Sequence, residues 1–329
     1  MLDTRTDLTG DQLEFFDTEG YLIVEDVLDP RCDFKLLEEE LSNVLDHLAA
    51  GLLESGEIET YNSNILFEQR VLELVQSLGS FPIQHFDFSL PQKGIQADTP
   101  MYLGEGAFRV LTHPILLDLV ESIVGPEITV SPVQHIRIKT PVLSKEDGGI
   151  WDGTPQANLT TPPHQDIGVS IPEADASEVL TVWLPITDAT AEMGCLGVWP
   201  RRHKNGVLGH CGSLEGLRIP EQFLDPNECV LLPMKAGSIL LMSRNTPHHA
   251  LQNRSNKVRW SMDLRYQPTG QLSGRPMFPD FVARSTTEQH SVLTDHNVWR
   301  ELWLDARADL AGDSALSFNR WKDDAPWCA

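Results

Sequence analysis

From about residue 128 onward, apolar and polar positions run in short apolar or alternating stretches divided by Gly, Pro, Asn and Asp. The stretches are "ITVSPVQHIRIK", "VLTVWLPITDA", "GCLGVWP", "CVLLPM", "GSILLMS" and "VRWSMDLRYQP". Short strands separated by turn signals predict a barrel or a double-sheet jelly roll with helices packed outside it. The region before it reads differently. In "TGDQLEFFDTEGY", Thr9 is placed to cap a helix carrying Leu13, Phe15 and Phe16, and Gly20 to stop it. "YLIVEDVL" then reads as a strand. "DFKLLEEELSNVLDHLAAGLLE" places Leu36, Leu37, Leu41, Val44, Leu45 and Leu48 at helical spacing, and "HPILLDLVESIVG" from His113 repeats that pattern. A last amphipathic stretch, "HNVWRELWLDARADLA", precedes the aromatic-rich end "FNRWKDDAPWCA", placed to cap the roll or cover a pocket. The expectation is a mainly β, cupin-like fold with flanking helices in a single domain over residues 1–329. Within it, 1–127 is mostly helical, 128–285 forms the jelly-roll core and 286–329 holds the final helix and tail.

Charge narrows the range of partners. The 25 basic and 48 acidic residues give a net charge of −23, a field that repels phosphate backbones and anionic membrane surfaces. Nucleic acid and membranes are therefore not expected partners. A polyanionic substrate is disfavoured too, unless Lys and Arg gather around the pocket. The cysteines Cys32, Cys195, Cys211, Cys229 and Cys328 are odd in number and include no CxxC pair, indicating neither a disulfide framework nor a cysteine-zinc site. A reducing compartment fits that set. The start lacks the features of a signal peptide and no run of eighteen apolar residues occurs, so the cytoplasm is the expected location.

The candidate chemistry begins at "TTPPHQDIGVS", residues 160 to 170. Taken as a turn running into a strand, His164 and Asp166 are two apart and share a face. One imidazole and one carboxylate make two thirds of the facial triad that holds non-haem Fe(II). A second histidine is offered by "KAGSILLMSRNTPHHALQNRSNKVRWSMDLRY", where an apolar strand ends at Pro247, His248 and His249 and another begins near Val258. Arg259 and Ser261 on that strand again share a face, and a guanidinium beside a hydroxyl suits a carboxylate. Metal ligands followed by a carboxylate anchor are the parts needed for a metal-chelating 2-oxoacid.

These stretches, with "VWLPITDATAEMGCLGVWPRRHKNG" and the opening "LTGDQLEFFDTEGYLIVEDVL", resemble the phytanoyl-CoA dioxygenase family of Fe(II)- and 2-oxoglutarate-dependent oxygenases over roughly residues 9 to 285. The resemblance implies a double-stranded β-helix and makes His164, Asp166 and His248 the iron ligands. It also makes Arg259, helped by Ser261, the site for the distal carboxylate of 2-oxoglutarate. His248 is preferred to His249 because it lies 5 before Asn253 and 11 before Arg259, the family's spacing. On "VQHIRIKTP" the family's contact to cosubstrate or substrate falls best on Lys139, and Trp183 matches a tryptophan beside the cosubstrate. Arg201 and Arg202 depart from a Pro-Gly-Ser-His run that many relatives carry. The implied cofactors are Fe(II), 2-oxoglutarate and O2. The implied reaction is hydroxylation of an unactivated C–H, with release of succinate and CO2. Asp166 stands where halogenating members have Gly or Ala, which favours hydroxylation, desaturation or ring closure.

Taken singly, His164 and Asp166 suit a solvated turn, and Arg259 suits an ion pair with Asp263, unless Arg265 takes that carboxylate. His85, His113, His203, His210 and His296 read as structural or surface groups, and Trp151, Trp199 and Trp260 as packing. The substrate is expected to be a small or mid-sized metabolite selected by loops such as 87–106 and 140–160. Two rival functions remain open: a Zn or Mn cupin that is not an oxygenase, and a silent sensor of 2-oxoglutarate or metal.

Overall fold

A computed structural model describes residues 6–142, 160–213, 216–313, 320–321 and 325–328. Trp151 and most of the 140–160 loop lie outside the described residues. The chain opens with α1 (Gly10–Glu19), whose Thr9 forms a capping box with Gln12, and Gly20 closes it at φ 83°. Next come β1 (Tyr21–Val24), the short α2 (Pro30–Asp33) and the long α3 (Lys35–Ser55). In α3 the residues Leu37, Leu41, Leu45 and Ala49 recur every fourth position and are buried as one stripe. Two further helices are α4 (Phe67–Leu78) and α5 (Glu105–Leu111), and α6 (Pro114–Val124) follows. After the strands, α7 (His296–Leu310) closes the helical layer with Trp299 and Trp303 buried. No helix among the described residues is long and apolar enough to cross a membrane.

The strands are β2 (Ile128–Val130), β3 (His135–Lys139), β4 (Thr161–His164), β5 (Leu180–Pro185), β6 (Leu196–Val198), β7 (Cys211–Ser213), β8 (Gly216–Arg218), β9 (Val230–Leu232), β10 (Ile239–Ser243), β11 (His248–Ala250), β12 (Arg259–Pro268) and β13 (Phe281–Arg284). The larger sheet runs β1-β10-β5-β12-β2-β13, with β3 also paired to β12. The smaller runs β4-β11-β6-β9. Every strand pairing in these sheets among the described residues is antiparallel, and together they make the expected jelly roll. "ITVSPVQHIRIK" is two strands rather than one, because the chain leaves the ladder between Val130 and His135.

One face of the larger sheet is apolar. Ile136, Ile138, Leu180, Val182, Leu184, Ile239, Leu241, Trp260, Met262, Leu264 and Tyr266 join the helices in a single core. Burying each such side chain contributes roughly 1.5–3 kcal/mol. The other face of the same strands looks into the roll, and period-two alternation therefore sends every second residue of β3, β5 and β12 to the site.

The expectation for the cysteines needs correction. Cys211 and Cys328 are joined in a disulfide, 117 residues apart in sequence. Cys32, Cys195 and Cys229 are free. Spacing rules read local pairs, and this pairing is created by the tail folding back. Trp321 stacks on His210 with ring centroids 5.0 Å apart and donates from Nε1 to the Gly168 carbonyl at 2.7 Å. Trp321 therefore lies over the segment that carries Asp166.

Candidate metal centre

The smaller sheet positions the two imidazoles. β4 and β11 pair so that His164 lies opposite His248. Their ring centroids are 4.3 Å apart. His164 Nδ1 lies 2.9 Å from the Pro162 carbonyl, and His248 Nδ1 lies 3.0 Å from the Thr246 carbonyl. A carbonyl only accepts, so each Nδ1 carries the proton and each Nε2 keeps a free lone pair. Burial, then His248 beside it, lowers the pKa of His164 to about 3, which keeps that ring neutral.

Asp166 reaches the same point by a different local structure from the one expected. The strand ends at His164, and Asp166 opens a one-turn 3-10 helix, Asp166–Val169, that is buried rather than exposed. Gln165 explains the change. Its Nε2 donates to the Gly206 and Asn245 carbonyls at 2.8 and 2.6 Å, and its Oε1 accepts from Leu208 N at 2.8 Å. Its backbone N–H donates to His210 Nε2 at 3.0 Å. Burial pushes the pKa of His210 down to about 4, which keeps that nitrogen an acceptor. Ligand atoms of His164, Asp166 and His248 all lie within 4.8 Å of one another, and this is the one such group among the described residues.

Burial alone would raise the Asp166 carboxyl, but the Arg265 guanidinium holds it well below the usual carboxylate range. Arg265 Nη2 donates to Asp166 Oδ1, and Thr181 Oγ1 donates to Oδ2. Arg265 is also tied to the Val133 carbonyl at 2.8 Å. These two orienting residues were not expected from sequence. The available signal was their placement: Arg265 is two beyond Asp263 on the inward face of β12, and Thr181 is two before Trp183 on β5. His249 turns the other way, with Nε2 3.3 Å from Cys229 Sγ and its ring against Trp199.

Arg259, Lys139 and Trp183 border the cavity that contains His164 and His248. Arg259 and Lys139 are register partners on β12 and β3. The Arg259 guanidinium lies 5.4 Å from the Trp183 ring centre, and its Nη1 donates to the Gly194 carbonyl at 3.0 Å. Burial lowers its pKa to about 10, leaving it charged at neutral pH. Its Nε and the hydroxyl of Ser261 are buried with no hydrogen-bond partner among the described residues. An unpaired buried polar group costs about 1–3 kcal/mol, and a ligand in the adjoining cavity could satisfy the guanidinium. Asp263 does not hold Arg259, and the reason differs from the one expected: Arg137 Nε takes Asp263 Oδ2 at 3.2 Å, while Arg265 is committed to Asp166. Lys139 Nζ donates to the Leu251 carbonyl at 2.7 Å. In the departing loop, Arg201 sits at φ 63°, a conformation that favours glycine.

Two imidazole nitrogens and one carboxylate converging within 4.8 Å, beside a cavity that Arg259 also borders, suit a divalent transition metal and a chelating acid. Comparison with known proteins agrees with this class. Residues 16–261 match the family described as phytanoyl-CoA dioxygenase, and the chain belongs to that family. It is 23% identical to a phytanoyl-CoA dioxygenase of Arabidopsis thaliana over 269 residues, covering 78% of this chain and 88% of that protein. It is also 23% identical over 303 residues to phytanoyl-CoA dioxygenase domain-containing protein 1 of Bos taurus, covering 82% and 99%. Among solved structures, the non-haem monooxygenase ThoJ in its apo form shares the fold, with a TM-score of 0.57, 17% identity, and coverage of 90% of this chain and 95% of that one.

Proposed function

We propose that this protein is an Fe(II)- and 2-oxoglutarate-dependent dioxygenase that hydroxylates an unactivated C–H of a small or mid-sized metabolite. The observation that carries the reading is the convergence of His164, Asp166 and His248 on one point, with His164 and His248 lining a cavity that Arg259, next but one to Ser261 on β12, also borders. The donor set fits the metal, since neutral imidazoles and one carboxylate are the facial arrangement used for non-haem Fe(II). When bound, iron and 2-oxoglutarate supply the oxidising chemistry, with O2 consumed and succinate and CO2 released.

The chain's own residues do the rest. His164 and His248 present Nε2 because carbonyl oxygens occupy their Nδ1 protons. Arg265 and Thr181 fix both oxygens of Asp166, which holds the carboxylate in one orientation and ionised. Arg259 and Ser261 receive the distal carboxylate, with Trp183 stacking against the guanidinium. Lys139 adds a third donor on the neighbouring strand. The apolar Leu196 and Met242 also line the cavity, which limits water around the reacting centre. Asp166 would hold the metal where halogenating relatives carry Gly or Ala, which favours hydroxylation over halogenation.

The test is spectroscopic and then chemical. Anaerobic addition of Fe(II) and 2-oxoglutarate gives a weak visible charge-transfer band, and admission of air releases succinate slowly without a substrate. Correctly metallated protein that shows neither result is not an oxygenase of this kind.

A further inference from the structure

The net charge of −23 makes the lining of the site unexpected. The inner cavity, ≈ 80 Å³, shares Thr160, Thr161, His249 and Ala250 with a wider groove of ≈ 510 Å³ at its mouth. Six cationic side chains border these two spaces: Arg137, Lys139, Arg259 and Arg265 inside, and Arg218 and Arg254 in the groove. Among the described residues, Asp263 is the single Asp or Glu that lines either of them. A protein with nearly twice as many acidic as basic residues has thus gathered cations around its site.

With the cofactors in place, the charges around the site do not cancel. On the proposed function, which this inference rests on, Fe(II) and dianionic 2-oxoglutarate cancel each other. Arg265 is neutralised by Asp166, and Arg137 shares Asp263 with its neighbours. Arg259 then has no acid of its own, and any proton on Lys139 adds to the excess. Among the described residues, the loaded site keeps at least one positive charge beyond its acids.

Arg137 is the residue placed to use it. It is two before Lys139 on the inward face of β3, and its side chain is 42% exposed where those of Arg259 and Arg265 are buried. Only its Nε is engaged among the described residues, by Asp263, so the two terminal nitrogens remain as a fork at the cavity wall. Arginine forks bind planar oxyanions through two parallel hydrogen bonds. Arg254 in the groove would raise the local concentration of an anion drawn toward it against the acidic exterior, whereas Arg218 is paired with Glu221 at 3.9 Å.

We infer that the prime substrate is a small molecule bearing one anionic oxyacid group, a carboxylate or a phosphate ester, and that Arg137 holds that group. Arg137 is then a specificity-determining residue, separate from the Arg259 and Ser261 anchor for the cosubstrate.

The test uses the full chain loaded with Zn(II), which binds without oxygen chemistry, and with 2-oxoglutarate. Calorimetric titrations compare hexanoate with hexanamide, benzoate with benzamide, and hexanoate with hexyl phosphate. At least one acid binds wild type about tenfold or more tighter than its amide, the scale of one charge-assisted fork. The Arg137→Gln variant reduces that ratio to within about threefold, and Arg137→Lys, which keeps the charge, retains most of it. Affinity of Arg137→Gln for 2-oxoglutarate stays within about threefold of wild type, as the cosubstrate does not use this side chain. Tighter hexanoate assigns a carboxylate; tighter hexyl phosphate assigns a phosphate ester. Three results overturn the inference alone: no preference for an acid over its amide or for hexyl phosphate over hexanamide, a preference that survives Arg137→Gln, or loss of 2-oxoglutarate binding in that variant. Wild type that binds Zn(II) but not 2-oxoglutarate overturns the proposed function and this inference with it.

Discussion

β12 has two faces with opposite duties. Trp260, Met262, Leu264 and Tyr266 point into the helical core and are buried to 1% exposure or less. Arg259, Ser261, Asp263 and Arg265 alternate with them and point into the roll, almost equally buried apart from the partly open Asp263. Burial on the first face stabilises the fold through the hydrophobic effect. Burial on the second works against stability unless every charge finds a partner. Arg265 and Asp166 find each other, whereas Arg259 Nε and Ser261 Oγ do not. One strand therefore both holds the domain together and carries a deliberate deficit that a ligand can fill. Residues shared between stability and function by alternation can be separated by substitution.

The largest effect is expected on the core side. Trp260→Ala should cost about 3–5 kcal/mol of unfolding free energy by removing a large, fully buried ring. Denaturant melts read this directly, and a loss under about 1 kcal/mol would show that the outer face is not what holds β12. On the inner side, Arg265→Met should weaken Fe(II) binding about 10- to 100-fold, because the carboxylate loses the partner that orients it. Competition with a chelating dye measures this, and undiminished affinity would remove Arg265 from the metal site. Arg259→Ala should raise the apparent 2-oxoglutarate requirement more than about tenfold, from a charge-assisted contact of roughly 1.5–3 kcal/mol. An unchanged requirement would shift the anchor to Arg265 or Lys139.

The smallest effect is a pH dependence. Burial, then the positive Arg259 and Arg137, bring the pKa of Lys139 down to about 6, with Asp263 opposing them in part. The free site thus holds neutral Lys139 at pH 7 to 8. A bound dianion favours the ammonium, so binding raises this pKa and takes up a proton. Affinity for 2-oxoglutarate is then full below about pH 6 and falls as pH rises, by at most about tenfold per unit. Calorimetry in buffers of different ionisation enthalpy should detect proton uptake at pH 7.5, and Lys139→Met should abolish it. Uptake unchanged in that variant would place the titrating group elsewhere.

Much of the site was legible because it follows local rules. The spacings His164 to Asp166 and Arg259 to Ser261 state which side chains share a face, and helical periodicity located α1, α3, α6 and α7. α4 and α5 add to the helices read from the chain, although Val71, Leu74 and Val75 mark the first as amphipathic. The buried turn at Asp166 was not legible, since it depends on Gln165 bonding to Gly206, Leu208 and Asn245. Nor was the Cys211–Cys328 pair, which no short spacing announces.

The sequence alone determined the alternation of β12, the ordered set of metal-binding residue types and the strand-turn rhythm of a jelly roll, because each is a property of neighbours along the chain. Tertiary structure alone decided which carboxylate each arginine takes, whether His248 or His249 turns inward, and where the few cations of an acidic protein collect. Those outcomes depend on distances between segments far apart in sequence. Electrostatic energies follow position in space and burial, and a net charge summed over the chain averages both away.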